Sequence, residues 1–130
     1  MPVVQLAFSA APQYVRTARL VGVAVAHRAG VADGVLEDIR LAIGEACGRA
    51  VARQRRRGVT ELIRVEMSDD GPYTVRVIDS AGRSGEDSDE DGSDWMGDVL
   101  LAGLVEDLQV TKSDEGIEVC MSWRAHQHRL

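Results

Sequence analysis

Two charged side chains that could do chemistry lie four residues apart in one stretch of the sequence, Glu45 and Arg49. In a helix this spacing places both on one face, next to Gly44 and Gly48. The spacing is also typical of an exposed helix pair, which stabilises a helix by about 0.2–0.5 kcal/mol. The glycines are less ordinary, because each costs a helix interior about 1 kcal/mol relative to alanine. They predict that a ligand or another backbone approaches this face closely.

A neighbouring face of the same stretch is apolar. Its residues recur at steps of three and four, the period of a helix, in the series Leu36, Ile39, Ile43, Ala46 and Ala50. Asp33 precedes this series and Gly58 follows it. We therefore expect one long helix that packs its apolar stripe against a core and presents Glu45 on a ligand-facing surface.

The end of this helix carries a basic block, formed by Arg49, Arg53, Arg55, Arg56 and Arg57. One interpretation is a solvated helix end, where cations complement the helix dipole. The other is a contact with an acidic partner or with an acidic loop of the same chain. Such a loop follows at about residues 80–95, where residues 86–94 include six acids. Its length and composition predict either disorder or a functional lid.

The composition is that of a single domain. The 130 residues, 45% of them apolar, can fill one layered core, so we assign residues 1–130 to one domain. A net charge of −6 argues against a general nucleic-acid binder. Cys47 and Cys120 have no neighbours at metal-ligand spacing, and no metal site is predicted. Without a signal peptide or an apolar run approaching roughly 20 residues, we expect a cytoplasmic protein.

Hydrophobic periodicity and turn residues indicate the other elements. Ser9 is a candidate N-cap of the first helix, Pro12 suits its first turn, and Gly30 its end. The order is a strand at 3–8, a helix at 13–29, the long helix, a hairpin at 60–68 and 73–78, the acidic loop, a helix at 96–107 and a hairpin at 108–112 and 117–123. This order predicts an α/β two-layer sandwich, with three helices on one face of a mostly antiparallel mixed sheet.

Residues 38–46, Asp-Ile-Arg-Leu-Ala-Ile-Gly-Glu-Ala, resemble the first nucleotide box of the RsbW-type anti-sigma factor serine kinases, within the GHKL or Bergerat-fold ATPases. The resemblance covers nearly the whole chain and implies the histidine-kinase-like ATPase fold. In that family the glutamate orients or activates the attacking group, and a following asparagine holds Mg²⁺ against the ATP phosphates. The resemblance thus assigns the catalytic position to Glu45 and places Arg49 where the family has asparagine.

The other two boxes of the family are also altered. The second, Asp-x-Gly-x-Gly, becomes Asp-Ser-Ala-Gly-Arg at 79–83, and its aspartate accepts from the adenine amino group in the family. The third, Gly-x-Gly-Leu, cradles phosphates and becomes Trp-Met-Gly-Asp at 95–98. By resemblance, the candidate nucleotide-binding residues are Gly44, Gly48, Arg49, Asp79, Ala81, Gly82 and Gly97.

These alterations bear on the cofactor. Mg²⁺ requires oxygen ligands, whereas the guanidinium of Arg49 supplies only donors. The acidic loop would in addition repel a triphosphate. The resemblance therefore implies a regulatory, anti-sigma-factor-like protein that binds a sigma factor or a STAS-domain anti-anti-sigma protein, with ATP and Mg²⁺ binding weakened or lost. A homodimer is implied because the family commonly forms one.

Two alternatives stay open at this point. In the first, the chain is an active ATP-dependent serine kinase with a modified Mg-ATP site, in which Glu45 activates the incoming hydroxyl and Arg49 binds phosphate. In the second, the basic block binds a nucleic acid or a cyclic nucleotide. The acidic net charge of the chain counts against the second alternative.

Overall fold

The computed structural model describes residues 4–81 and 93–125. In this part of the chain the elements follow in the order β1 (Val4–Phe8), α1 (Pro12–Arg28), α2 (Leu36–Arg56), β2 (Ile63–Ser68), β3 (Tyr73–Ile78), α3 (Ser93–Leu104), β4 (Asp107–Lys112) and β5 (Ile117–Trp123). A short 3₁₀-helix, Asp33–Val35, leads into α2. None of these helices is long and apolar enough to cross a membrane.

The five strands form one sheet in the order β1-β2-β3-β5-β4. Every neighbouring pair is antiparallel, with Phe8 opposite Ile63 and Val75 opposite Met121. Both predicted hairpins are present, as β2–β3 and β4–β5. The predicted α/β two-layer sandwich is confirmed, and across the described strands the sheet is antiparallel rather than mixed.

The core lies between one face of the sheet and the helices. Alternate residues of β2, β3 and β5 are buried, as the two-residue period of a strand requires. From α2, the stripe predicted from helical spacing contributes Ile39, Ile43, Ala46 and Ala50, each no more than 1% exposed. Leu36 is partly buried and packs at the margin of the same cluster. The long helix is therefore fixed on the sheet by its apolar face, which leaves its other faces for the site.

The helix ends show how local signals compare with the structure. α1 begins at Pro12 with Ala11 as its N-cap and no side-chain cap, so the predicted capping role of Ser9 is wrong. Proline suits this first position because the missing N–H would have had no partner inside the helix. Gly30 and Gly58 follow α1 and α2 with φ of 89° and 69°. This left-handed conformation ends both helices, as predicted.

Helix α3 is displaced towards the N-terminus relative to the prediction, since it covers Ser93–Leu104 instead of 96–107. Its end is held by a long-range contact, in which Trp123 Nε1 donates to the Leu104 carbonyl at 2.9 Å. Trp123 belongs to β5, so local periodicity does not contain this information. Most of the acidic loop predicted at 80–95 lies outside the described residues, which omit 82–92.

Candidate functional site

One face of α2 carries an arginine stripe, which we define as Arg49, Arg53 and Arg57. Their four-residue spacing places them one above the other on the helix. Each donates to a different part of the structure that surrounds the end of β3. The acceptors are Asp98 of α3, the Asp79 carboxylate and the Ala81 carbonyl, respectively. The arginine stripe thus connects α2 with α3 and with the segment that follows β3.

The central contact is a buried ion pair between Arg53 and Asp79, whose residues are 3% and 2% exposed. Arg53 donates to Asp79 Oδ2 from Nη2 at 2.6 Å and from Nε at 3.0 Å. The other carboxylate oxygen, Oδ1, accepts from the Ala81 amide at 3.0 Å and from the Ile117 amide at 3.3 Å. A carboxylate offers about four acceptor positions. An external donor can therefore reach Asp79 only if one of these bonds is replaced.

Gly116, in the turn between β4 and β5, allows this arrangement. A methyl group at Gly116 would overlap the backbone carbonyl of Asp79. The close approach brings the start of β5 against the end of β3, where the Asp79 amide donates to the Ile117 carbonyl at 3.0 Å. Sequence reasoning missed Gly116, because the approach joins segments that are far apart along the chain.

Gln54 supports the same segment from the next position of α2. Its Oε1 accepts from the Ser80 amide at 2.8 Å, and its Nε2 donates to the Glu61 carbonyl at 2.7 Å. Gln54 is completely buried. Sequence reasoning missed this residue, although a signal was present. It lies four residues after Ala50 and so continues the apolar stripe by one turn, which is where a buried polar side chain requires partners.

Arg49 covers Gly97 at the phosphate-box position. A methyl group at Gly97 would lie 2.6 Å from Arg49 Cζ, so the guanidinium in its present position packs directly on the glycine. Arg49 Nη2 also donates to Asp98 Oδ1 at 3.0 Å, and the two side chains are 15% and 33% exposed. The close approach at Gly97 is therefore made by a side chain of the same protein.

Glu45 lies one turn before Arg49 and is half-buried. Arg49 forms its described ion pair with Asp98, and within residues 4–81 and 93–125 no ion pair links Glu45 to Arg49. The i, i+4 pair that the sequence spacing allowed is therefore absent from this part of the chain. Glu45 lies in α2 and is half-buried, and its ligand-facing role stays a prediction.

The two glycines of the first box have different surroundings. A methyl group at Gly44 would lie 2.9 Å from Arg19 Cδ of α1, whereas one at Gly48 would meet nothing within 4 Å. Gly48 forms part of a groove of about 470 Å³ between α1 and α2, which is lined by Pro12, Val15, Arg19, Val51, Ala52 and Arg55. Both glycines thus face α1, on a different side of α2 from the arginine stripe.

Along the arginine stripe the structure aligns four of the predicted site residues, namely Arg49, Asp79, Ala81 and Gly97. Gly44 and Gly48 lie towards α1, and Glu45 precedes Arg49 by one turn. Gly82 lies outside the described residues. The predicted nucleotide-binding set is therefore divided between two sides of the same helix.

The basic block is divided as well. Arg55 and Arg56 are exposed, as a solvated helix end requires, but Arg53 is buried against Asp79. The solvated interpretation is therefore wrong for Arg53. The physical reason is its position three residues after Ala50, which points its side chain to the sheet side of α2 rather than to solvent.

These residues do not fit a magnesium–nucleotide complex in their present arrangement. Among the described residues, no cluster of three His, Cys, Asp or Glu side chains could hold a metal ion. Arg49 offers donors to an anion but no oxygen to Mg²⁺. Asp79, which the resemblance predicts to contact an adenine amino group, already receives four hydrogen bonds.

The two thiols offer no activated nucleophile. Burial raises the pKa of the Cys47 thiol to about 12, an effect that Arg19 partly opposes. Burial also raises the pKa of Cys120, on β5. A thiol whose pKa is raised carries little thiolate near neutral pH, and the thiolate is the reactive form. Neither cysteine therefore has the environment of a catalytic residue.

Comparison with known proteins finds a matching family and a crystal structure with the same fold. The model of the histidine kinase-like ATPase domain family matches residues 8–123. The crystal structure of the RsbU and RsbW domains of Rv1364c from Mycobacterium tuberculosis has the same fold, with a TM-score of 0.72 and 21% sequence identity. The match covers 95% of this chain and 32% of that one, so this chain spans about a third of the length of its structural neighbour. No curated protein matches the chain.

The family match extends from the last residue of β1 to the last residue of β5, and it therefore includes α2, Asp79 and α3. The fold agrees with it, because the structural neighbour shares the layered arrangement over nearly the whole chain. The chain belongs to the histidine kinase-like ATPase domain family.

Proposed function

We propose that the protein is a regulatory, anti-sigma-factor-like module that binds a sigma factor or a STAS-domain anti-anti-sigma protein, with ATP binding weakened or lost. Its family membership and the fold shared with a chain that contains an RsbW domain support the regulatory class. The resemblance of residues 38–46 to the RsbW-type first box supports the same partners.

The Arg53–Asp79 pair is the observation that supports the second part of the proposal, the weakened or lost binding of ATP. An adenine amino group that needed Asp79 would have to displace Arg53, which is 3% exposed. Breaking a buried ion pair by removing one partner costs about 3–5 kcal/mol, because the other charge stays buried without compensation. An amino group that took the place of Arg53 would restore part of this loss, so at 1.4 kcal/mol per factor of ten the affinity for a nucleotide falls by at most roughly two to three and a half orders of magnitude.

Arg49 adds a second obstacle in the phosphate region. It fills the space over Gly97, where a methyl group would already be too close to its guanidinium. A triphosphate would have to move this side chain away from Asp98 and would then meet Asp98 itself, a negative charge. Repulsion between like charges at short range disfavours that position. Both obstacles to nucleotide binding, the Arg53–Asp79 pair and the Arg49 side chain, are formed by residues of the chain itself.

Isothermal titration of the protein with ATP and Mg²⁺ tests the nucleotide half. We expect no binding in the micromolar range and no phosphate transfer to a serine of a STAS protein. Micromolar binding with phosphate transfer, abolished by Glu45→Ala, would instead establish the serine-kinase alternative.

Affinity purification from the native host tests the partner half. We expect a sigma factor or a STAS-domain protein to co-purify, and the purified pair to associate to the same extent with and without ATP. Failure of every sigma factor and STAS protein of the host to bind would refute the proposed partners, whatever the nucleotide result.

A further inference from the structure

The segment 79–81 is tied to α2 at each of its three residues. The Asp79 carboxylate accepts a hydrogen bond from Arg53. The Ser80 amide donates to Gln54 Oε1, and the Ala81 carbonyl accepts from Arg57. All three α2 side chains come from its last turns or from the residue that follows it. Side chains of the protein itself therefore hold the whole segment at the candidate base-binding position.

The two oxygens of Asp79 have different kinds of donors. Among the described residues, Oδ1 accepts from backbone amides, those of Ala81 at 3.0 Å and Ile117 at 3.3 Å. Oδ2 accepts from the guanidinium of Arg53, at 2.6 and 3.0 Å. The Ile117 amide joins the start of β5 to the end of β3, and the Ala81 amide closes a local turn within segment 79–81, so both belong to the backbone framework around Asp79. The guanidinium occupies the side of the carboxylate that the framework leaves open.

The burial of the Arg53 guanidinium shows that its place beside Asp79 is not a general property of a basic helix end. A buried arginine is costly unless its charge is paired and its N–H groups are hydrogen-bonded. The neighbouring Arg55 and Arg56 remain exposed, so a basic helix end alone does not require a buried guanidinium. The burial of Arg53 is possible because the Asp79 carboxylate compensates its charge. In return, the guanidinium of Arg53 donates two hydrogen bonds to that carboxylate.

We infer that Arg53 is a built-in ligand of Asp79: its guanidinium occupies the position of an external donor, and segment 79–81 is ordered without nucleotide. The inference deepens the proposed function, because it rests on the proposed loss of nucleotide binding and names the group that replaces the base. It follows that the surface formed by α2, segment 79–81 and the β4–β5 turn has the same structure with and without ATP.

Hydrogen exchange of the wild-type protein provides the first test and requires no variant. The amides of Ala81 and Ile117, both bonded to Asp79 Oδ1, are expected to be protected in the absence of nucleotide. Millimolar ATP with Mg²⁺ is expected to leave their exchange rates unchanged. Rapid exchange without ATP, or a clear slowing on its addition, would overturn the inference.

Chemical complementation provides the second test. Arg53→Ala is expected to lower Tm by roughly 10 °C, because the Asp79 charge then lacks its buried partner. Millimolar methylguanidinium is expected to raise the Tm of Arg53→Ala by a few degrees, by binding the folded state. Methylammonium, which lacks the planar fork of donors, is expected to raise it less.

The controls use the same probe. The wild-type protein, Arg55→Ala and the double variant Arg53→Ala with Asp79→Asn are expected to gain no stability from methylguanidinium. Equal behaviour of Arg53→Ala and these controls would overturn the inference. Neither test includes a sigma factor or a STAS protein, so failure to find a partner refutes the proposed function without affecting the built-in ligand.

Discussion

The shortest distance between Arg53 and Asp79 is 2.6 Å, from Nη2 to Oδ2, and their side chains are 4% and 0% exposed. Twenty-six positions separate the two residues along the chain. Because each buried charge has the other as a hydrogen-bonded partner, the end of α2 and the end of β3 depend on each other energetically. The surrounding bonds of Gln54, Arg57 and Ile117 extend this dependence to the neighbouring backbone.

Loss of either member of this pair should destabilise the fold strongly. Arg53→Met and Asp79→Asn are each expected to cost about 3–5 kcal/mol, because each leaves one buried charge without its partner. The double variant should cost clearly less than the sum, with a coupling energy of about 1–3 kcal/mol. Urea unfolding measures these free energies. Arg55→Met, at an exposed position, is the control and should change stability by no more than about 0.5 kcal/mol. Strictly additive losses would contradict the pairing.

The same substitution at two helix glycines should have opposite signs. Gly22 is buried in α1, and a methyl group there would overlap Cδ1 of Ile43 in the core, so Gly22→Ala should cost about 1–3 kcal/mol. Gly48 in α2 has open space above it, so Gly48→Ala should gain about 0.5–1 kcal/mol from helix propensity. Thermal unfolding followed by circular dichroism measures both effects. A destabilised Gly48→Ala would mean that the groove beside Gly48 closes in solution.

Gly116 should tolerate no side chain. The methyl group of Gly116→Ala would overlap the Asp79 carbonyl, and backbone cannot move aside as a flexible side chain can. We expect a loss of more than about 2 kcal/mol, together with faster exchange of the Ile117 amide, because the contact between β3 and β5 must open there. Gly103→Ala is the matched control, since a methyl group at Gly103 meets nothing within 4 Å. Equal stability of the two variants would show that the close approach at Gly116 is not maintained.

Cys47 should make the protein sensitive to high pH. Burial raises the pKa of this thiol in the folded state from 9.0 to about 12, so the folded state holds the proton more tightly than the unfolded state. Stability from this group is therefore complete below pH 9 and declines as the pH rises towards 12. The expected loss by pH 10 is on the order of 1 kcal/mol.

Urea unfolding of the wild type and of Cys47→Ala at pH 8, 9 and 10 measures this difference. The decline between pH 9 and 10 should be smaller in Cys47→Ala, while Cys120 and Tyr73 contribute equally to both proteins. Parallel declines of the two proteins would assign the pH dependence to other groups.

Periodicity correctly predicted the order of the elements and the core-facing stripe of α2, but not the buried face of α3, where Val99 and Leu100 are exposed. The alternation in β2, β3 and β5 and the stripe from Ile39 to Ala50 are properties of short windows of sequence, and burial follows them in the structure. The ends of elements were less predictable. Ser9 does not cap α1, and α3 ends at Leu104, where the contact with Trp123 holds it. Such ends depend on partners that the local sequence does not contain.

By itself, the sequence determined the strand and helix pattern, the two-layer fold, the resemblance of residues 38–46 to a nucleotide box and the charged positions that could form a site. Only the tertiary structure decided that Arg53 is buried while Arg55 and Arg56 are exposed, that Arg19 approaches Gly44, and that Arg49 covers Gly97. The reason is physical. A local pattern fixes which side of a helix a residue occupies, but the energy of a buried charge depends on a partner brought close by the fold, here Asp79.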